Sequence, residues 1–108
     1  MKKISFDVSD FSGVSPTLLL ETNSYKEIRL AMQKGSFMKE HKAPFCIMVQ
    51  VLKGCIEFGV NSEKTTLNQF DLISLEANVS HDLFANEDSI IRLSLSKNDS
   101  IDRVKSVL

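Results

Sequence analysis

Apolar and polar residues alternate in short runs along most of this chain, and polar turns separate the runs at close intervals. A period of two places alternate side chains on opposite faces of a strand, so the pattern predicts a half-buried all-β protein. Strands are expected at Ile4 to Val8, Thr17 to Glu21, Glu27 to Gln33, Phe45 to Leu52 and Cys55 to Val60. Further strands are expected at Thr65 to Leu67, Asp71 to Leu75, His81 to Ala85 and Ser89 to Leu95. Lys53-Gly54 is expected to be a two-residue hairpin loop, and Asn61-Ser62-Glu63-Lys64 a polar turn. The tail breaks the pattern. Ile101, Val104, Val107 and Leu108 recur at helical spacing, and Asn98, Asp99 or Ser100 can cap the start, so a short C-terminal helix is predicted.

So many short strands in 108 residues cannot lie in one open sheet without long exposed edges. A double-sheet jelly roll or a barrel removes that difficulty. The length suits a single domain spanning residues 1–108. Hydrophobic residues make up 43% of it, which is enough to bury a core. The net charge is −1 and no basic block is present, which argues against a nucleic-acid partner. No window approaches the roughly 20 apolar residues a bilayer span needs. The start of the chain lacks an apolar stretch of signal-peptide length, so a cytoplasmic location is expected. Cys46 and Cys55 form no CxxC pair and read as free, partly buried thiols, with a disulfide across a hairpin as the other reading. There is no phosphate-binding Gly-rich loop, GxSxG elbow, HExxH or EF-hand pattern.

The chain has only two histidines, and each lies in a spaced motif. Gly35 is followed by five residues and His41, then Lys42-Ala43-Pro44-Phe45-Cys46-Ile47, then six residues and Gly54. Downstream, the run Phe70 to His81 is followed by Asn86. Over roughly residues 30 to 95 this spacing resembles the two motifs of the cupin superfamily, at about 35–54 and 70–86. The resemblance implies a double-stranded β-helix, or jelly-roll barrel, of the small conserved-barrel type. Several identities depart from the family pattern. Ala43 stands at the second His position, Ile47 at the Glu position, Phe70 and Asn78 at two Gly positions, and Glu76 at the Pro position. Family members with the full motifs hold a divalent metal through three His and one Glu; position by position, only His41 and His81 carry over.

Two imidazoles without a carboxylate make an under-coordinated site, because metal catalysis ordinarily needs three protein ligands or two His and a carboxylate. Strand alternation points Glu40 and Asp82 away from the histidines beside them. Glu57 and Glu76 are the remaining substitutes. As plain structural residues, His41 and His81 would be half-buried side chains bonded to barrel groups or water. Their motif positions instead predict that they face one cavity. Lys39 shares strand parity with His41, and Ile47 and Val49 supply an apolar wall. The expected ligand-binding cavity is therefore His41, His81, Ile47, Val49 and Lys39. Gln50 and Arg92 are left open. Arg92 is either an outward, solvated residue, or an anion-binding group or salt bridge to the tail.

The reading favoured by this pattern is a small cupin barrel that binds a small molecule, non-catalytic or sensor-like. Its enzyme alternative is a metal-dependent dioxygenase, isomerase or lyase acting on a small acid or sugar. That alternative would hold iron, manganese, zinc or nickel through His41, His81, a third ligand and water. A filled barrel acting only as a structural module is the remaining class. Small cupins resembling this chain commonly form homodimers, and the alternating Ile4, Phe6 and Val8 would suit an added edge strand.

Overall fold

The structure, a computed structural model, describes residues 1–108 as nine strands followed by one short helix. The strands are β1 (Val14–Glu21), β2 (Tyr25–Met32), β3 (Phe37–His41), β4 (Ile47–Lys53), β5 (Cys55–Val60), β6 (Glu63–Asn68), β7 (Leu72–Leu75), β8 (His81–Ala85) and β9 (Ser89–Ser96); the helix is α1 (Ile101–Lys105). They form a five-stranded sheet in the order β1-β2-β9-β4-β7 and a four-stranded sheet in the order β3-β8-β5-β6. All neighbouring strands run antiparallel. The two sheets face each other as a jelly roll.

Alternation in the central strands builds the core. Ile28, Leu30 and Met32 of β2, Ile47, Val49 and Val51 of β4, and Ile91, Leu93 and Leu95 of β9 point inward from the larger sheet. Ile56 and Phe58 of β5, Leu83 and Ala85 of β8, and Met38 of β3 meet them from the smaller one. Burial of this apolar surface is the main stabilising term for such a sandwich. Val104 of α1 is buried in the same cluster, and Ile101 and Val107 pack against it. Ser100 is the residue that caps the helix, its hydroxyl accepting from the Arg103 N–H at 3.2 Å.

Three expectations change. Ile4 to Val8 forms no strand, and Phe37–His41 forms one that the pattern did not predict. The N-terminal arm has alternating half-buried side chains but joins no ladder. It lies on the outer side of the larger sheet, where Phe6 and Asp7 share a cleft with Leu52, Lys53, Gln69 and Ile90. Burial under a crossing segment yields the same period of two as strand pairing. β3 was hidden because a register shift between Met38 and His41 breaks its alternation, leaving Lys39 and Glu40 both exposed.

Lys53-Gly54 is not a hairpin, because β4 and β5 belong to different sheets. Gly54 (φ +88°) is the corner where the chain changes sheets, and a Cβ there would lie 2.3 Å from the Ser89 hydroxyl and 2.5 Å from the Asp88 carbonyl. The two-residue hairpin is Asn61-Ser62, with φ of 52° and 67°, between β5 and β6.

Both substituted glycine positions of the second motif keep left-handed backbone. Asn78 has φ 65°, which asparagine tolerates, but Phe70 has φ 76° with a 71% exposed ring. Its backbone is held by a 2.7 Å bond from the Phe70 N–H to the Val51 carbonyl. A left-handed residue other than glycine costs about 1–2 kcal/mol, partly offset by the roughly 0.5–1 kcal/mol of chain entropy that glycine adds. Phe70→Gly should therefore leave urea-unfolding stability unchanged or raise it by up to about 1 kcal/mol. Ile91→Ala, in the core, should lower it by about 2–5 kcal/mol in the same measurement.

Candidate functional site

His41 ends β3 and His81 begins β8, and the two are direct partners across that ladder. The register shift ahead of His41 turns its side chain to the inner side, so that Met38 and His41 point inward while Lys39 does not. The rings stand edge to face, 4.3 Å between centroids and 60° apart. His81 is 3% exposed and stacks on Phe58 at 5.4 Å and 12°, whereas His41 is half-buried.

A backbone carbonyl fixes each ring. Nδ1 of His41 lies 2.7 Å from the Lys39 carbonyl oxygen, and Nδ1 of His81 lies 2.9 Å from that of Val79. A carbonyl only accepts, so both Nδ1 atoms carry the proton, and in each neutral ring Nε2 is left as an acceptor. The only buried side-chain nitrogens or oxygens without a partner are Arg29 Nε and Ser36 Oγ, so each Nε2 retains contact with solvent. Two similar devices, each a histidine anchored on the carbonyl two residues back, within β3 for His41 and in the loop before β8 for His81, thus present two unshared lone pairs.

Both imidazoles are pushed below their ordinary value of 6.5, chiefly because burial disfavours the charged ring. The carbonyl bonds and Asp82 act the other way, and the Arg103 guanidinium adds to the depression. For His81 the neighbouring His41 lowers it further. Arg103 is held by an ion pair with the buried Asp99, and its Nη1 donates to the Lys42 carbonyl at 3.4 Å.

The donor set does not fit a resident metal. Ala43 and Ile47 are each 3% exposed and belong to the hydrophobic core. Glu40 bonds the Ser80 hydroxyl, and Asp82 lies against Gly59 on the outer side of the smaller sheet. Glu57 accepts from Thr66 and Asn86, and Glu76 is exposed. No group of three or more His, Cys, Asp or Glu is placed to hold an ion. Zinc and non-haem iron sites ordinarily take three protein ligands or two His and a carboxylate, and only two imidazoles are brought together here.

The expected cavity needs correction in three members. The exposed Lys39 side chain points away from the site, which it serves only through its carbonyl. Ile47 and Val49 face inward but are packed into the core at 3% and 2% exposure. Neither histidine lines a surface cleft; the one that reaches a neighbour of His81 is a cleft of about 350 Å³ between the β5–β6 hairpin and β7, lined by Phe58, Val60, Ile73 and Leu75 and by the polar Asn61, Glu63, Thr65 and Ser74. Phe58, absent from the sequence reading, links this cleft to His81; an alternating strand position carries no sign of such a role. Gln50 and Arg92 are cross-strand partners on the outer side of the larger sheet. Arg92 donates to Glu27 at 2.8–3.3 Å. Burial raises the Glu27 carboxyl, but bonds from Arg92 and Ser94 outweigh it and leave the group below its ordinary value. Cys46 and Cys55 are free, and no helix is long and apolar enough to cross a membrane.

No family model matches the chain, and no curated protein is significantly similar to it. Solved structures are similar in shape. An RmlC-like cupin protein from Desulfovibrio desulfuricans superposes with a TM-score of 0.80 at 16% identity, over 90% of this chain and 97% of that one. KdgF from Halomonas sp. gives 0.75 at 19% identity, over 94% and 93%. A cupin superfamily protein from Desulfitobacterium hafniense gives 0.75 at 12% identity, over 83% of each chain. The chain has the cupin fold.

The two histidines are the only side chains with ordinary values between those of the carboxylates and the chain terminus. Their pH dependence can therefore be isolated. Folded values below 6.5 mean that the unfolded chain binds protons more readily, so their contribution is whole above pH 6.5 and is lost as the pH falls below it. Urea-unfolding stability should be flat from about pH 7 to 8 and decline from about pH 6.5 to 5, and His41→Asn/His81→Asn should flatten that decline.

Proposed function

We propose that this protein binds a small molecule through the neutral His41–His81 pair, and that the bound molecule presents hydroxyl or N–H donors. The observation that carries this reading is the pair of Nδ1–H bonds to the Lys39 and Val79 carbonyls. They leave two acceptors on partly buried rings whose centroids are 4.3 Å apart. Acceptors in such a place are well suited to molecules that donate, and the cleft beyond Phe58, lined by Phe58, Val60, Ile73 and Leu75 together with Asn61, Glu63, Thr65 and Ser74, gives room for a molecule of mixed polarity. With two protein nitrogens and no carboxylate, binding rather than metal-centred turnover is the activity the donor set supports. A sensor role follows if occupancy alters how this barrel end meets another protein.

Thermal-shift screening of small polyols, sugars and amides at pH 8 tests the proposal. A binder at a hundred times its dissociation constant adds about 2.7 kcal/mol of stability, a shift of several degrees in a chain of this size. Affinity should fall at least about tenfold in His41→Phe and in His81→Phe, which keep the aromatic packing but remove the acceptor. It should also weaken as the pH falls through the depressed values of the folded histidines, where a protonated ring turns Nε2 into a donor. Binders indifferent to both substitutions would overturn the proposal. So would stoichiometric metal in the purified protein that vanishes in both variants.

A further inference from the structure

The outer side of the larger sheet holds a set of groups that neither the core nor the His pair uses. Residues on β9 alternate, so while Ile91, Leu93 and Leu95 point inward, Arg92, Ser94 and Ser96 point outward. β9 lies between β2 and β4, and its outward partners are Tyr25 opposite Ser96, Glu27 opposite Ser94 and Arg29 opposite Arg92. On the other side Met48 lies opposite Ser94 and Gln50 opposite Arg92. Small serines on the central strand between taller Tyr25 and Met48 make a groove of about 290 Å³, with Cys46 at its rim and Arg92 at one end. That volume lies near the lower end for small-ligand pockets.

Arg92, which lines the groove at one end, belongs to a lateral row of donors whose other members lie beside the groove. Arg29, Arg92 and Gln50 follow one another across β2, β9 and β4. Like charges directly opposite one another destabilise a sheet unless a counter-charge meets them. The buried Glu27 carboxylate meets only one, engaging Arg92 through Nε and one terminal nitrogen. The other terminal nitrogen of Arg92 takes no part in that pair. Arg29 enters no salt bridge. It donates from Nη1 to the Asp7 carbonyl at 3.4 Å, and its Nε is buried with no partner at all. Two guanidinium groups against one carboxylate leave one uncompensated positive charge, beside an apolar groove and with an orphaned buried donor.

We propose that this face carries a second binding site, separate from the histidines, for a small organic monoanion with an apolar body. The anionic end, a carboxylate being the plainest case, meets Arg92, Arg29 and Gln50, and the body lies along Ser94 and Ser96 between Tyr25 and Met48. Guanidinium groups suit carboxylates through paired N–H donors.

The test is NMR titration of ¹⁵N-labelled protein with 2-naphthoate, with uncharged 2-naphthamide as control. Saturable shifts should appear at Tyr25, Glu27, Met48, Ser94 and Ser96, with an affinity on the order of 1 mM or tighter. The amide should bind at least about tenfold more weakly. Gln50→Glu places a carboxylate where the ligand's would lie, and should weaken naphthoate about tenfold while raising Tm. Ser96→Leu fills the groove and should abolish binding, the unchanged spectrum elsewhere confirming the fold. His81→Phe should have no effect, which separates this site from the other. Absence of saturation by about 10 mM, equal binding of the amide, or indifference to Gln50→Glu would overturn the proposal. So would shifts of the same resonances with protein concentration alone, which would give the face to a second copy of the chain.

Discussion

Everything in this molecule depends on β9, the central strand of the larger sheet, hydrogen-bonded to β2 on one side and β4 on the other. Its inward residues, Ile91, Leu93 and Leu95, are the floor on which Ile28, Leu30, Val49 and Val51 assemble against the smaller sheet. Its outward residues organise the opposite surface, where Ile90 is covered by the N-terminal arm and Arg92 and Ser94 hold Glu27. A strand fixed from both neighbours cannot slip by one residue without exchanging those two sets. The apolar core and the ion pair of the buried Glu27 with Arg92 therefore enforce the same register.

Much of this was legible in the residues. β5 and β8 have the expected bounds, and most other expected strands fall within a few residues of those observed. The short helix was foreshadowed by Ile101, Val104 and Val107, and the jelly roll by the need to remove sheet edges. The misses share one physical cause: period two reports burial, and burial has more than one source. Phe6 and Val8 gained it from a crossing segment, so they resembled a strand. β3 lost its alternation to a bulge, so it did not. Gly54 looked like a turn because glycine permits both a hairpin and a corner, and only its closeness to Ser89 distinguishes them.

The candidate site was legible in outline only. Motif spacing brought His41 and His81 together, as expected of residues facing one interior. It could not reveal that Lys39 and Val79 act through their carbonyls, because backbone groups carry no side-chain signature. Nor could it show that the ligand positions changed to Ala43 and Ile47 had become packed hydrocarbon. Two glycine positions of the second motif behave differently again: Phe70 and Asn78 alter the residue but keep the left-handed turn. In this chain the backbone path follows the spacing of the motifs more faithfully than the chemistry follows their identities.

The histidines are neighbours on adjoining strands of one sheet, not residues facing each other across the gap between two. Their separation is set by the β3–β8 ladder, while the cleft beyond Phe58 opens between the β5–β6 hairpin and β7, elements of different sheets. A breathing motion that parts the sheets would widen the doorway and leave the spacing of the two rings untouched. If the histidines bind a ligand as proposed, entry and recognition would be mechanically uncoupled: one would fluctuate with temperature or crowding while the other kept its spacing.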